Sequence, residues 1–429
     1  MEATWGLLGP EFLPNARRTR TLGLGASVRS FNDLAVPGLG GVWYGKQLLL
    51  ATLGVAVAEE ARSRGAKVQN IEMADAIEAL ACWLALKSND WSRDARLRGN
   101  SKLQGKTDFG FQQVRQRNFY VTQPMRMATV QALPALGFAE SNSARFNSFC
   151  CSNEGRDFIE KATEDYRPYN RTVIDHLTWW AQMKDDNVNT DALQQALSPL
   201  NRLSDEAIPL LRERLIQGGN ESFEDKKRRG NALAWVEALR KGKIEKWTWA
   251  QRPQEISEEH WHDLQAGALF FEAREAAIAV LDAVEISMGP LPVKPHSLKA
   301  LLPEELKAKL ELLKSAANRY LEFKHADEEA NKFCRECVND DPSSILRTLV
   351  NRDGHVLRLA GDEVKPGQAF RGSTTQVSAD DEDQEAPQAG GIPLPEGISY
   401  RVRNLYLLNL DMHGELDGWL TSDAGGGEA

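Results

Sequence analysis

Residues 119–161 read FYVTQPMRMATVQALPALGFAESNSARFNSFCCSNEGRDFIEK. Thr122 is a good N-cap, and Pro124 falls in the first turn, where its missing N–H costs nothing. The spacing predicts one helix running to Leu136. Met127, Val130, Leu133 and Leu136 step along its core side. Thr122, Arg126 and Thr129 fall on a second face, at i, i+4 and i+7. A short polar turn at 141–143 and a strand-like run through Phe146, Phe149 and Cys151 come next. A new helix opens at Asn153-Glu154-Gly155-Arg156.

Leu136–Ala139 reads LGFA and Ser152–Ile159 reads SNEGRDFI. In this order the stretch resembles the second half of MarR-like and PadR-like winged helices, whose pattern is a helix, LGLV, a wing and LTxxGRxxL. The resemblance covers about a tenth of the chain, and departs from the pattern at Pro134 and in its very short wing. It implies a recognition helix that presents Thr122, Arg126 and Thr129 to a major groove. It also implies that Arg145 reaches a phosphate from the wing. Duplex DNA is the partner this suggests. Winged helices also dock onto proteins, so other protein subunits remain an equal expectation.

The charge pattern bears on that choice. The 429 residues carry a formal net charge of −9, which argues against a protein that coats nucleic acid. Locally the balance reverses. Between Trp91 and Val130 stand Arg93, Arg96, Arg98, Lys102, Lys106, Arg115, Arg117 and Arg126, against only Asp94 and Asp108. Arg115 and Arg117 therefore join the candidate nucleic-acid contacts, because backbone neutralisation dominates such affinity.

Hydrophobic residues make up 42% of the chain, enough for real cores. The longest apolar run, 48–58, is far short of the ~20 residues that span a bilayer, so no membrane partner is expected. No secretory signal is read before Arg17, Arg18 and Arg20. Five cysteines without framework spacing suit a reducing, cytoplasmic setting.

The expected architecture is mainly α: a helical multi-domain protein with an embedded winged-helix-like module and a small β-hairpin element. A Gly-rich arm and first helix occupy 1–70, with the helix at 45–64. The winged-helix-like domain takes 71–168 and begins with a helix over 71–87. A helical domain fills 169–342, with helices at 172–184, 190–198, 204–217, 226–241, 257–287 and 303–338. A small hairpin element follows at 343–372. The acidic stretch 373–392 is a linker, since its carboxylates cluster at 380–385 and large aliphatics are nearly absent. Residues 393–429 hold an apolar helix that docks on the body or a partner, then a tail.

Several patterns imitate chemistry. Gly40–Gln47 reads GGVWYGKQ and matches the phosphate-cradling GxxxxGK, but Gln47 replaces the Ser or Thr that would hold Mg²⁺. No buried strand precedes it, and its expected role is a packed Gly-rich loop. Asp353 with Glu363 and Lys365 follows the D…ExK order of restriction-type nucleases, in which two carboxylates hold Mg²⁺ and a lysine orients water. Cys334 and Cys337 form one CxxC inside a helical pattern; a zinc site needs two more ligands. Buried thiols are the expected reading. His260-Trp261-His262 is weaker, because residues two apart point away from each other on a helix. No GxSxG or HExxH occurs. No cofactor is expected.

The expected function is a non-enzymatic subunit that binds nucleic acid or a partner protein and assembles with other chains. Proteins of this build occur in bacterial multi-gene systems, including phage-defence and restriction-type operons. The alternatives are a Mg²⁺-dependent nuclease carried by Asp353, Glu363 and Lys365, or a pure scaffold.

Overall fold

The computed structural model describes residues 20–183, 187–242, 246–289, 295–299, 301–372 and 391–424. In chain order the elements begin with α1 (Gly25–Ala35), α2 (Gly45–Ser63), α3 (Asn70–Ser88), α4 (Asn100–Leu103), α5 (Phe111–Val114), α6 (Arg126–Thr129) and α7 (Ala132–Ala135). Strands β1 (Ala139–Glu140) and β2 (Cys150–Cys151) follow, then α8 (Asn153–Thr163), α9 (Val173–Ala181), α10 (Asp191–Leu197), α11 (Ala207–Gln217) and α12 (Phe223–Gly242). The last part holds α13 (Glu258–Met288), β3 (His296–Ser297), α14 (Glu304–Phe323), α15 (Glu328–Cys337) and α16 (Pro342–Asp353). It ends with β4 (Leu357–Ala360), β5 (Glu363–Pro366), α17 (Tyr400–Met412) and α18 (Leu416–Ala424). The protein is mainly helical, as expected.

Two compact units form. One is drawn from Met1–Phe31 and Asp263–Ser378, the other from Asn32–His262 and Ala379–Ala429. These cut across the expected divisions. The residues between 169 and 342 do not stand alone, because the first part folds with the 71–168 region and the rest with the hairpin element. The acidic stretch lies outside the described residues except for Gly391 and Ile392.

In the larger unit α2 is the central element. Every residue from Gly45 to Ala58 is buried, the mark of a helix enclosed on all sides. It packs against α3, α6, α8, α9, β2 and α17. The Gln47 Oε1 accepts the N–H groups of Trp43 (2.8 Å) and Tyr44 (3.3 Å), which start the helix. Gly54 lets α3 approach closely: a Cβ there would stand 2.6 Å from the Ala74 Cβ. α17 docks inside this unit, on α12 and α2. Glu237 of α12 receives bonds from Arg240 (3.0 Å) and from Asn409 of α17 (2.9 Å).

The opening stretch departs from its expected course. Instead of one helix over 122–136, α6 and α7 are two separate single turns. Thr122 caps neither of them; it lies exposed ahead of α6, whose N-cap position is Met125. Beyond Leu136 the chain forms a two-residue hairpin pair, with Ala139 opposite Cys151 and Glu140 opposite Cys150. α8 then opens with the Ser152 hydroxyl accepting the Gly155 N–H at 2.9 Å.

The smaller unit is built on the second part of α13 with α14, α15 and α16. Phe270 is its aromatic centre, 5.1 Å from Phe31 and 6.0 Å from Tyr320 between ring centroids. The helix expected over 303–338 is two helices. Lys324 turns left-handed (φ 58°) and Asp327 caps the second through the Ala330 N–H. Its sheet has the order β3-β5-β4, all antiparallel, so β3 adds a strand to the expected hairpin. Residues 25–35 of the expected Gly-rich arm form a helix of their own, ahead of the one expected at 45–64.

Candidate nucleic-acid interface

α3 carries Glu72, Asp75 and Glu78 at three-residue spacing, so the carboxylates lie along a continuous stripe of the helix. Each is occupied from within the chain. Glu72 receives Arg115 at 2.7 Å and the Gln69 N–H at 2.8 Å. Asp75 holds Arg126 in two hydrogen bonds. Glu78 is buried and accepts the N–H groups of Met125 (2.7 Å) and Arg126 (3.2 Å). Burial pushes its carboxyl up to about 7.

This arrangement corrects the expected reading face. Arg126 is neutralised by Asp75, and its guanidinium also lies over the Phe146 ring at 5.6 Å. Thr129 is fully buried, and its hydroxyl donates to the Arg126 carbonyl at 2.9 Å. Arg115 is spent on Glu72 and on the Lys67 carbonyl (3.1 Å). Arg96 is buried between Asp94 (2.8 Å) and Asp417 (2.6 Å). Thr122, Arg126 and Thr129 therefore do not present a common outer face.

Other cations remain outside these pairs. Lys87, Arg93, Lys102, Arg117 and Arg145 are exposed and Lys106 is half-buried. None of the six has a carboxylate partner among the described residues. Their placement follows α3. Lys87 lies over the Trp83 ring at 5.2 Å, Trp83 stacks on Phe109 at 4.0 Å, and Phe109 meets Phe119 edge-on at 5.5 Å. Lys106 covers the outer side of Phe119 at 4.4 Å. Phe109 is fixed by accepting the Trp180 indole N–H at its carbonyl (2.9 Å). At the other end of α3, Asn70 donates to the carbonyls of Phe146 (3.1 Å) and Phe149 (2.8 Å), which seats the hairpin bearing Arg145. The 111–117 turn is tied to the same end through Arg115. Lys87 and Lys106 are thus tied to one end, and the segments bearing Arg117 and Arg145 to the other, of a helix of 19 residues, roughly 27 Å long at its rise per residue.

The remaining sequence motifs fall apart as sites. Lys46 of the GxxxxGK match is buried and donates to the Ala196 carbonyl at 2.6 Å, with burial lowering its ammonium to about 8. A Cβ at Gly40 would stand 2.5 Å from the Ala128 carbonyl oxygen, so the loop is filled by protein. Asp353 is buried against Arg20 (3.4 Å) and accepts the Leu357 N–H at 3.0 Å. Arg20 also binds Glu285 at 2.5 Å. Glu363 stands opposite Ala360, roughly 10 Å further along β4, and is exposed beside Lys365 at 3.3 Å. The D…ExK residues are not brought together. Cys334 and Cys337 are buried thiols, and burial pushes Cys334 up to about 12. No cluster of three or more His, Cys, Asp or Glu placed to hold a metal exists among the described residues.

The acidic stripe of α3 was legible as residue types, but not as a sink for arginines some fifty positions away. Among described residues no helix is long and apolar enough to cross a membrane. Comparison with protein-family models, with curated proteins and with solved structures finds no match to this chain.

Proposed function

We propose that this chain is a non-enzymatic binding subunit that contacts the phosphodiester backbone of nucleic acid through the cations along α3. The observation behind this reading is the sorting of charge. Arg96, Arg115 and Arg126 are neutralised internally, while Lys87, Arg93, Lys102, Lys106, Arg117 and Arg145 have no carboxylate partner among the described residues of a chain of net charge −9. Such cations release counterions when they meet phosphates. The hairpin with Arg145 and helix α8 are the parts of the winged-helix plan carried forward. The Arg126–Thr129 face is not, so contact is independent of base sequence. Asp353 serves Arg20 rather than a metal, which argues against the nuclease alternative.

Fluorescence anisotropy on a labelled oligonucleotide across a salt series tests this. A linear fall of log K with log salt, with a slope of about −3 or steeper, is expected. No binding at low salt sinks the reading.

A second reading, assembly with other protein subunits, is favoured by one observation. Phe223 is 76% exposed and Ile216 48% exposed, large apolar groups that water does not favour. Under that reading Phe223→Ser disrupts a complex and leaves oligonucleotide binding intact.

A further inference from the structure

An open cleft of about 660 Å³ lies between the Asn89–Arg96 loop and α18. That volume falls in the range of small-ligand sites. Its floor is closed by Arg96, which donates to Asp94 at 2.8 Å, to Asp417 at 2.6 Å and to the Leu200 carbonyl at 3.2 Å. The two aspartates share the one guanidinium of Arg96, which fastens α18 to the loop and leaves one negative charge over, with the Asp417 carboxylate exposed. Around that closed floor, Leu200, Leu420 and the half-buried ring of Trp419 supply an apolar wall. Asn89 and Thr421 add short polar side chains. Arg93, exposed and without a carboxylate partner among the described residues, is the lining's unpaired cation and brings the cleft as a whole to formal neutrality.

A flat apolar ring beside a free guanidinium fits a planar group attached to an anion. Arg93 is also one of the six cations proposed to follow a nucleic-acid backbone. We infer that the cleft receives one unpaired nucleobase, stacked on Trp419, with its phosphate at Arg93, so that the preferred ligand is single-stranded. This rests on the proposed nucleic-acid contact and narrows it. A base inside a duplex is stacked on its neighbours and cannot enter. Stacking on an aromatic side chain tolerates any base, in keeping with recognition through the backbone.

The test compares a labelled twelve-nucleotide oligo-dT with a twelve-base-pair duplex at the same salt, using the full chain. Oligo-dT is expected to bind the native protein more tightly than the duplex. Trp419→Ala weakens oligo-dT about tenfold and leaves duplex affinity unchanged, because stacking carries roughly that much per base. Trp419→Phe keeps a ring and restores most of the oligo-dT affinity, which separates stacking from misfolding. Equal oligo-dT affinity in the native protein and Trp419→Ala overturns the cleft while the α3 reading stands. Failure of the native protein to bind either ligand removes both.

Discussion

Arg126 donates two hydrogen bonds to the carboxylate of Asp75, which lies fifty-one residues earlier on α3. A residue held in this way is a structural tie rather than a free contact. Arg126→Ala is expected to cost about 1 kcal/mol of stability, measured by urea unfolding, since the pair is partly buried. Oligonucleotide affinity should change by less than about twofold. A folded Arg126→Ala protein that no longer binds would return α6 to the interface.

Arg117 and Arg145 have the opposite character, because each is exposed and has no carboxylate partner among the described residues. Charge reversal at either one should leave the melting temperature in place. Each reversal should also lower the salt slope of binding by about one to two units. Unaltered slopes in both variants would place the nucleic acid elsewhere.

Asp411 on α17 is buried, and its Oδ2 accepts the Gly45 N–H at 2.8 Å, next to buried Lys46. Burial raises its carboxyl from 3.8 to about 6. Between those two values the unfolded chain has released this proton and the folded one has kept it. The contribution of Asp411 to stability therefore declines as pH rises through that window and is level on either side. Asp411→Asn, which can still accept from Gly45, removes that component. The stability of the native protein minus that of the variant should fall by on the order of 3 kcal/mol from pH 4 to pH 6.5. A constant difference across this range would mean that Asp411 titrates normally.

Gly54 tests the contact between α2 and α3. In an isolated helix Gly→Ala is favourable by about 1 kcal/mol. Here the new methyl would meet the Ala74 Cβ at 2.6 Å. Gly54→Ala is expected to destabilise by about 1–3 kcal/mol despite its propensity. Adding Ala74→Gly should return part of the loss, a coupling that a double-mutant cycle measures. Purely additive effects would show that the helices can separate cheaply.

Much of the helical plan was legible from local signals. The Asp191–Leu197 and Asn153–Thr163 helices announce themselves through Thr190 and Ser152, whose side chains accept from the third residue onward. The break between α14 and α15 was hidden, because Asp327 can be read as a helix-interior acid unless Lys324 is known to turn left-handed. The stretch 122–136 was misread for another reason. Its periodicity fits one helix, yet Glu78 takes the Met125 and Arg126 N–H groups and fixes a new start there. Local spacing carries no record of such a distant acceptor. The same holds for the cleft, whose walls come from residues 89–96, Leu200 and residues 417–421. What the sequence did disclose was the excess of cations between 91 and 130; which of them stay free depends on α3.

The two units exchange segments along the chain, each made of an early and a late piece. A ribosome delivers the residues of α2 long before those of α17, which help to bury it. For most of translation, then, the helix buried from Gly45 to Ala58 waits without its full cover, in the company of its early partners α3, α6, α8, α9 and β2. The larger unit can close only after residues 400–412 have left the exit tunnel. Premature termination before residue 400 would release a chain with an open core, a substrate for chaperones and proteases rather than a shortened working protein.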